Sequence, residues 1–391
     1  MRGKRAYKIV DRLAGVPLLL VAGTARGAGT IMPVKPGDRI LLIKQSALGD
    51  TLLILPVIKA LRDVIGSEGR LDMVVTPVNR DVAASCPWLD ELFLFNPSSV
   101  FRRPGHVLRL IRRLRHRAYA HALDFDQWLR SSALLAALSG ARHTAGFRTP
   151  GQQRHFAFDA TVPQAKDAHE FELFKHLAVQ VGVPAESIEP YTGFLTRHRI
   201  YGSTARETRK IVLLHPGCGG HGFQREWPIE RYAELGRALV ERFGVGIEVS
   251  GHGSHEIGLI EEFASLFGPG FTNLGGELTF PELAARMTGI DLLVSGNTGV
   301  MHLAAGMGVP LVSLHGPTDS TKWGPLYGES PTAETVRVIQ AHVPCSPCLF
   351  LGFEYGCAER PCMESISVEE VLEACEDVLA ALACFRAAQA Q

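Results

Sequence analysis

The chain alternates short apolar runs with longer stretches that have helical spacing. Arg39–Lys44, Leu71–Thr76 and Ile211–His215 are nearly continuous apolar runs, which are typical of strands buried in a parallel sheet. Amphipathic stretches such as Val107–Tyr119 and Ile229–Phe243 lie between such runs. This alternation predicts β-α-β units with right-handed crossovers, and therefore an α/β fold.

The pattern restarts in the middle of the chain and so predicts two domains. Residues 150–200 are less regular, with one clear helix near Ala168–Val181. We predict two Rossmann-like domains, residues 38–195 and residues 196–391, that face a central cleft, the usual ligand site of such folds. The apolar spacing in Ser367–Ala388 predicts a long C-terminal helix. The remaining predicted strands are Glu91–Phe95, Ala122–Phe125, Gly246–Ser250, Asp291–Ser295 and Leu311–His315, and the remaining helices are one that ends near Arg62, Leu129–Ser139, Ser254–Phe267, Phe280–Met287 and Gly299–Gly306.

Residues 1–37 form a basic and apolar segment before the first predicted strand. The apolar run Val16–Gly23 is shorter than the ~20 residues that a membrane span requires. A basic segment before a short apolar run also occurs in signal peptides, but the chain lacks the composition of a secreted disulfide protein. The segment predicts either a helix on the cytoplasmic face of the inner membrane or a helix packed on its own domain. The basic residues before the run are Arg2, Lys4, Arg5, Lys8 and Arg12.

Composition supports a two-domain globular protein and adds a charge asymmetry. The chain has 391 residues, of which 46% are hydrophobic and 20% charged, and its formal net charge is zero. Residues 1–200 carry 28 Lys and Arg against 17 Asp and Glu, whereas residues 201–391 carry 12 against 23. This asymmetry predicts either that the first domain binds an anionic partner or that the two domains complement each other in charge.

The strongest chemical signal is the segment Ile290–Pro310, in which a buried strand passes through Gly-Asn-Thr-Gly directly into a helix. Glycines let the backbone approach a ligand, and the amides and positive end of a helix suit a diphosphate. The Thr298 hydroxyl can add a donor, and His302 lies in the first turn of the predicted helix. From these residues alone, an ordinary strand-to-helix turn with a capping residue is an equal alternative.

Three further segments place chemical groups at the ends of predicted strands. Leu213–Pro228 enters a glycine-rich loop that carries Arg225, whose planar guanidinium suits phosphate oxygens. Ser250–Glu256 follows the next strand, where nucleotide-binding folds contact a ribose, although it is also an ordinary helix start. Leu41–Pro56 places Asp50 where a loop meets a helix, so that its carboxylate either caps the helix or accepts a proton from a substrate hydroxyl.

Together these segments resemble glycosyltransferase family 9, the heptosyltransferases, and the resemblance covers residues 38–375. It implies a GT-B fold in which the second domain holds an ADP-sugar donor and the first binds the acceptor. It also implies that Asp50 is the catalytic base. Many relatives carry Asp where this chain has Asn297, a change that removes a negative charge next to the phosphates. By the same resemblance the donor-binding residues are Arg225, Glu256, Asn297, Thr298, Gly299 and His302, and the acceptor-binding residues are Lys44, Asp126 and Arg130.

The resemblance implies an inverting glycosyltransferase that moves a heptose from an ADP-activated donor to an inner-core sugar of lipopolysaccharide. One alternative is a heptosyltransferase that modifies protein serines, as relatives acting on autotransporters do. Another is a non-catalytic sugar-nucleotide-binding protein. A sugar-nucleotide epimerase is disfavoured because no acid-base pair stands out for it. The resemblance places the protein in the cytoplasm, and the chemistry requires no cofactor because the leaving diphosphate can be stabilised electrostatically.

A cysteine cluster and an arginine cluster suggest further binding partners. Four cysteines within an 18-residue segment can enclose a structural Zn or Fe ion, and some of the relatives carry an iron-binding cysteine finger in this region. The arginines between Phe101 and Arg117 suit lipopolysaccharide phosphates or a membrane surface, or form a solvated helix face. They lack the interleaved aromatic side chains on which nucleic-acid bases stack, so no nucleic-acid partner is predicted. The cysteines are Cys345, Cys348, Cys357 and Cys362.

Overall fold

The computed structural model describes residues 5–26, 29–97, 104–205, 207–219, 222–326, 334–350, 357 and 359–389. The chain divides into two compact units between Glu189 and Pro190. We call residues 3–189 unit 1 and residues 190–391 unit 2. Each unit is built on its own parallel six-stranded sheet with helices packed on it.

The sheet of unit 1 is formed by buried apolar strands. In the central strand, residues Ile40–Ile43 are fully buried, which is why this strand is a nearly continuous apolar run in the sequence. The strands are β1 (Arg39–Ile43), β2 (Arg70–Val75), β3 (Glu91–Leu94), β4 (His121–Asp124), β5 (His143–Arg148) and β6 (Ala160–Pro163). The helices are α1 (Arg5–Arg26), α2 (Leu48–Leu53), α3 (Leu55–Ile65), α4 (Arg80–Ala84), α5 (Pro104–His116), α6 (Arg130–Leu138) and α7 (Glu170–Gln180).

The strand order in unit 1 is β3-β2-β1-β4-β5-β6, the order of a doubly wound Rossmann sheet. β1 pairs in parallel with both β2 and β4, and Ile40 is in register with Leu71 on one side and His121 on the other. The chain therefore leaves β1 toward one edge of the sheet and leaves β4 toward the other edge. The loops after β1 and β4 diverge at this switch point, which is where open α/β sheets bind ligands.

Unit 2 repeats the same topology. Its strand order, β12-β11-β10-β7-β8-β9, has its switch point between β7 and β10. The long helix at the C-terminal end confirms the helix predicted there, and its Val371, Cys375 and Val378 belong to the core of the unit. The strands are β7 (Ile211–His215), β8 (Gly246–Val249), β9 (Phe271–Asn273), β10 (Leu292–Gly296), β11 (Leu311–His315) and β12 (Val336–Gln340). The helices are α8 (Phe194–Arg197), α9 (Ile229–Phe243), α10 (Gly253–Phe267), α11 (Phe280–Met287), α12 (Gly299–Met307), α13 (Ser320–Trp323), α14 (Pro361–Ser365) and α15 (Val368–Gln389).

The N-terminal helix α1 packs on unit 1 along α6 and the short 3-10 turn Arg154–Ala157. Leu19 and Ala22 are buried in this contact, and a Cβ added at Gly15 would lie 2.8 Å from Arg130 Cδ. The contact corresponds to the predicted alternative of a helix packed on its own domain. In the described parts of the chain, no helix combines the length and the apolar character that crossing a membrane requires.

Four strands of the structure are not predicted by the sequence pattern. β5, β6, β9 and β12 lie toward the edges of the two sheets. β9 has only three residues, of which two are exposed, and β12 has two buried and three half-buried residues. Short edge strands do not form continuous apolar runs, because only part of each strand is covered.

Candidate functional site

At the switch point of unit 1, the loops after β1 and β4 bring together three predicted site residues. Lys44 Nζ donates a hydrogen bond to Asp50 Oδ2 at 2.9 Å, and Asp126 Oδ1 lies 3.6 Å from the same nitrogen. All three side chains are buried. The structure thus joins the predicted base Asp50 to two residues predicted to bind the acceptor.

Asp126 ties the two loops to each other. Its Oδ2 accepts the backbone N–H of Gln45 at 2.6 Å, and its Oδ1 accepts the Ser46 hydroxyl at 2.7 Å. Both donors belong to the loop after β1, whereas Asp126 belongs to the loop after β4. Because ionised acceptors make the stronger hydrogen bonds, this carboxylate fixes the loop that leads to Asp50.

Lys44 stays charged although it is buried. Burial by itself lowers the pKa of Lys44, but the carboxylates of Asp50, Asp126 and Glu170 outweigh it and raise the pKa above its ordinary value. A permanent positive charge beside a carboxylate favours the ionised form, which is the form that accepts a proton. Lys44 therefore places a fixed positive charge beside Asp50, the predicted base.

Glu170 is a buried acid close enough to Lys44 to raise its pKa, and the sequence analysis does not single it out. It is the first residue of α7, is buried, and accepts a hydrogen bond from Gln127 Nε2 at 2.7 Å. No motif in the sequence marks it, because an acidic residue in the first turn of a helix is ordinary. Its only sequence signal is that it begins the clearest helix of the irregular region between residues 150 and 200.

Asp50 lies in the first turn of α2 and is not its N-cap residue. The residue at the N-cap is Ala47, with a φ of 63°, and the Asp50 carboxylate instead accepts the hydrogen bond from Lys44. The single helix predicted here is two helices, α2 and α3, which meet at Ile54. The N-cap residue of α2 is thus Ala47, three residues before Asp50.

Arg130 lies apart from this group, in a contact with α1. It is buried at the start of α6, where Nη1 pairs with Asp11 Oδ2 at 2.5 Å and Nε donates to the carbonyl of Gln152 at 3.0 Å. The sequence predicts an acceptor-binding role for Arg130. In the structure its guanidinium joins the N-terminal helix to unit 1.

In unit 2, Arg225 connects the loops after β7 and β10, the two loops at the switch point. Its Nη1 donates to the carbonyl of Asn297 at 2.7 Å, and its Nη2 donates to the carbonyl of Cys218 at 2.8 Å. A Cβ added at Gly296 would lie 2.9 Å from the Arg225 carbonyl oxygen, so this glycine permits the close approach of the two loops. The guanidinium thus joins the two glycine-containing turns predicted to hold the donor.

The turn from β10 into α12 has the geometry that its sequence predicts. Thr298 is the N-cap, Gly299 is the first residue of the helix, and His302 is buried in the first turn. The Asn297 side chain donates to Thr318 Oγ1 at 3.0 Å. The first amides of α12 therefore follow directly on the turn that Arg225 contacts, which is an arrangement suited to an anionic group.

A buried histidine lies behind this turn and was not predicted. His315, the last residue of β11, is linked through Nε2 to the Ser313 hydroxyl at 2.8 Å. Burial, with smaller electrostatic contributions from His302 and Arg225, lowers the pKa of His315 to about 3. His315 is thus neutral at physiological pH and supports the turn through hydrogen bonds only.

Glu256, the last predicted donor-binding residue, is buried in the first turn of α10. Its Oε1 accepts the N–H of Gly219 at 2.9 Å, and its Oε2 accepts the N–H of His252 at 2.7 Å. These amides belong to the loops after β7 and β8. The structure therefore brings all the predicted donor-binding residues to the carboxyl ends of β7, β8 and β10.

The four clustered cysteines differ in how exposed they are. Cys362 is buried, whereas Cys345 and Cys357 are exposed. Burial raises the pKa of Cys362, and the other three thiols lie near enough to influence it. Across the residues that the structure describes, no group of three or more His, Cys, Asp or Glu side chains is arranged to hold a metal ion.

The described arginines of the predicted cluster differ in their contacts. Arg113 and Arg117 both pair with Glu91 and so belong to the framework of unit 1. Arg109 and Arg112 are exposed on α5. Residues Phe101, Arg102 and Arg103 of the predicted cluster lie outside the described residues.

Comparison with known proteins decides the family. The model of glycosyltransferase family 9 (heptosyltransferase) matches residues 107–358. The chain belongs to glycosyltransferase family 9. It is 28% identical over 333 residues to lipopolysaccharide heptosyltransferase 1 of Pseudomonas aeruginosa, a match that covers 80% of this chain and 86% of that protein. It is 25% identical over 258 residues to lipopolysaccharide heptosyltransferase 2 of Escherichia coli, covering 62% of this chain and 70% of that protein.

Solved structures show the same fold. The family 9 glycosyltransferase of Veillonella parvula matches 89% of this chain and 99% of its own with a TM-score of 0.70 at 18% identity. The Escherichia coli heptosyltransferase WaaC with ADP matches 87% of this chain and 99% of its own with a TM-score of 0.67 at 19% identity. The two parallel six-stranded sheets are thus those of the GT-B fold, as the resemblance implies. The iron-containing heptosyltransferase TibC is more distant, with a TM-score of 0.55 at 12% identity over 90% of this chain and 78% of its own.

Proposed function

We propose that this family 9 glycosyltransferase transfers a heptose from ADP-heptose to an inner-core sugar of lipopolysaccharide. The observation that carries the proposal is that each unit places groups suited to one half of the reaction at its switch point. Unit 1 carries a buried carboxylate with a charged lysine, and unit 2 carries an arginine and a helix N-terminus suited to a diphosphate. The names of the relatives, which are lipopolysaccharide heptosyltransferases, supply the sugar and the acceptor class.

In this proposal unit 2 holds the donor. Arg225 and the amides that open α12 interact with the diphosphate, and Thr298 can donate its hydroxyl to the same group. These groups stabilise the negative charge that develops on the diphosphate as the sugar leaves it. The mechanism therefore needs no metal ion, and no step passes through the cysteines.

Asp50 is the base in this proposal. The acceptor hydroxyl oxygen forms a bond to the anomeric carbon while the bond from that carbon to the diphosphate oxygen breaks. The hydroxyl proton passes to the Asp50 carboxylate, and ADP leaves with the bonding electron pair. Because the attacking and leaving oxygens lie on opposite faces of the sugar, the anomeric configuration is inverted.

The test uses ADP release from ADP-heptose with two acceptors, truncated lipopolysaccharide and a serine-containing autotransporter protein. We expect turnover with the lipopolysaccharide acceptor. Asp50→Asn should lower kcat by roughly 10²–10⁴-fold, because the amide cannot accept the proton, while ADP affinity stays the same.

The matched control is Asp63→Asn, since Asp63 is an exposed carboxylate on α3. Turnover by Asp50→Asn equal to that of the unchanged protein would contradict the base assignment. Turnover with the protein acceptor alone would instead favour the serine-modifying alternative.

We also propose that the protein works in the cytoplasm, on the inner face of the inner membrane, where a lipid-linked acceptor is presented. The outward side of α1 carries exposed Leu13, Leu18 and Val21, at 71%, 54% and 66% exposure. Arg12 beside them is exposed, and the preceding residues in the sequence are rich in Lys and Arg. A helix with an exposed apolar side and adjacent basic groups suits an anionic lipid surface.

A further inference from the structure

The side chain of Asn79, at the end of the loop after β2, reaches into the loop after β1. Asn79 is the N-cap residue of α4, a position at which an asparagine usually accepts a hydrogen bond from its own helix. Here its Oδ1 accepts the backbone N–H of Thr76 at 2.9 Å. Its Nδ2 donates to the carbonyl oxygen of Lys44 at 2.9 Å and to the hydroxyl of Thr51 at 3.0 Å. The amide group therefore serves the neighbouring loop and not the helix that it begins.

Both partners of Asn79 in that loop adjoin Asp50. Lys44 donates its side-chain hydrogen bond to Asp50, and Thr51 follows Asp50 directly in α2. Asn79 and Thr51 are completely buried. A buried amide or hydroxyl that loses its partner costs free energy, because water does not reach it as a replacement. Asn79 thus fixes the backbone of Lys44 and the first turn of α2 relative to each other.

The loop between Lys44 and Thr51 contains a strained residue. Ala47 has a φ of 63° and a ψ of 124°, backbone angles that residues other than glycine rarely adopt. Its carbonyl oxygen accepts the Thr51 hydroxyl at 2.8 Å, and the same hydroxyl accepts the hydrogen bond from Asn79. A strained backbone persists only where its surroundings hold it. The hydrogen bonds from Asn79 through Thr51 to Ala47 supply part of that support.

The other part of the support comes from the opposite side of the loop. Asp126 accepts the backbone N–H of Gln45 and the hydroxyl of Ser46, the two residues before Ala47. In the sheet, β1 lies between β2 and β4. The loop after β1 is therefore held from both neighbouring strands, by Asn79 after β2 and by Asp126 after β4.

We propose that Asn79 is a positioning residue for sugar transfer, because it holds the strained turn at Ala47 that keeps Asp50 against Lys44. This inference rests on the proposed role of Asp50 as the base. Asn79 does not take part in the proton transfer, and its effect passes through Lys44 and Thr51. Without it the turn relaxes, and Asp50 is out of place in most molecules. The rate of transfer then falls, whereas donor binding, which belongs to unit 2 in the proposed function, is unaffected.

The first experiment measures kcat and KM for ADP-heptose in Asn79→Ala. We expect kcat to fall about tenfold, since two buried hydrogen bonds are lost, and KM to stay within about twofold. The control is Ser85→Ala at the C-cap of the same helix, where the hydroxyl donates to the carbonyl of Asp81 at 2.9 Å. It should leave both constants unchanged. Equal effects of the two variants would reduce Asn79 to a support of α4 and overturn the inference.

The second experiment removes the strain itself. Ala47→Gly should keep kcat within about twofold, because glycine adopts a φ of this sign freely. In the Ala47→Gly background, Asn79→Ala should lower kcat by less than about threefold, since the turn no longer depends on its support. Urea denaturation of the same four proteins should show the same non-additivity in the free energy of unfolding. Additive losses in kcat would show that Asn79 does not act through the turn.

A third pair of variants keeps the inference testable if Asn79→Ala fails to fold. Thr51→Val removes the hydroxyl that links Asn79 to Ala47 and should lower kcat about tenfold, whereas Thr51→Ser retains it and should stay within about threefold. Equal losses in the two variants would overturn the inference. An unchanged protein without transferase activity would contradict the proposed function instead, and the unfolding measurements would still decide whether Asn79 supports the turn.

Discussion

Arg225 shows how one side chain can organise a site. Its planar guanidinium donates in two directions at once, to the carbonyl oxygens of Cys218 and Asn297. A lysine presents a single ammonium group on a flexible stem and lacks the rigid fork that spans two acceptors. The geometry therefore specifies arginine here, and charge alone is not sufficient.

Arg225→Lys should weaken ADP binding about tenfold, because the loops after β7 and β10 lose their shared partner. Calorimetric titration with ADP measures the effect. Arg237→Lys is the control, since Arg237 is exposed on α9 and donates to the carbonyl of Leu266. An ADP affinity of Arg225→Lys equal to that of the unchanged protein would show that the positive charge alone is enough.

At the scale of elements, α1 has two different sides. One side is buried on α6, where Leu19 lies in a small core and Asp11 pairs with Arg130. The other side exposes Leu13, Leu18 and Val21. The two predicted interpretations, a helix packed on its domain and a helix on a membrane surface, are therefore compatible in one element.

Replacing Leu18 and Val21 together by Gln should reduce binding to anionic phospholipid vesicles by about tenfold, because the buried apolar area on the lipid surface falls. Co-sedimentation with phosphatidylglycerol-containing vesicles measures this binding, and phosphatidylcholine vesicles serve as the uncharged comparison. Leu266→Gln, at an exposed leucine on α10, should bind like the unchanged protein. Equal losses in both variants, or none in the double variant, would rule out α1 as the lipid contact.

At the scale of the whole molecule, buried neutral histidines make stability depend on pH. Burial lowers the pKa of His121 in unit 1 to about 4 and that of His315 in unit 2 to about 3. In the unfolded chain a histidine titrates near 6.5. Between these values the unfolded chain binds protons that the folded chain does not, so stability rises with pH up to about 6.5.

Lowering the pH from 7 to 5 should therefore reduce the free energy of unfolding by about 1–2 kcal/mol for each of these histidines. Urea denaturation at a series of pH values measures the dependence. His121→Asn should reduce the pH dependence of the free energy of unfolding by the contribution of one histidine. His106→Asn, at an exposed histidine on α5, should leave the pH dependence unchanged. A pH dependence that is identical in all three proteins would contradict the assignment.

The amino-acid sequence by itself determined the α/β class, the two Rossmann-like halves and the turns that carry the site. These features depend on contiguous residues: a buried parallel strand requires an apolar run, and a strand that turns into a helix at a ligand requires glycines at that turn. The turn formed by Asn297, Thr298 and Gly299 could be predicted from the sequence because these residues are neighbours in the chain.

Only the tertiary structure decided which of these groups touch. Lys44 meets Asp126 because β1 and β4 are neighbours in the sheet, and Arg225 and Glu256 hold one peptide because the loops after β7 and β8 begin at the same edge. Arg130 is paired with Asp11 because α1 and α6, which are distant in sequence, pack against each other. Contacts between distant residues depend on strand order and on how closely helices approach, and no short stretch of sequence encodes either of these.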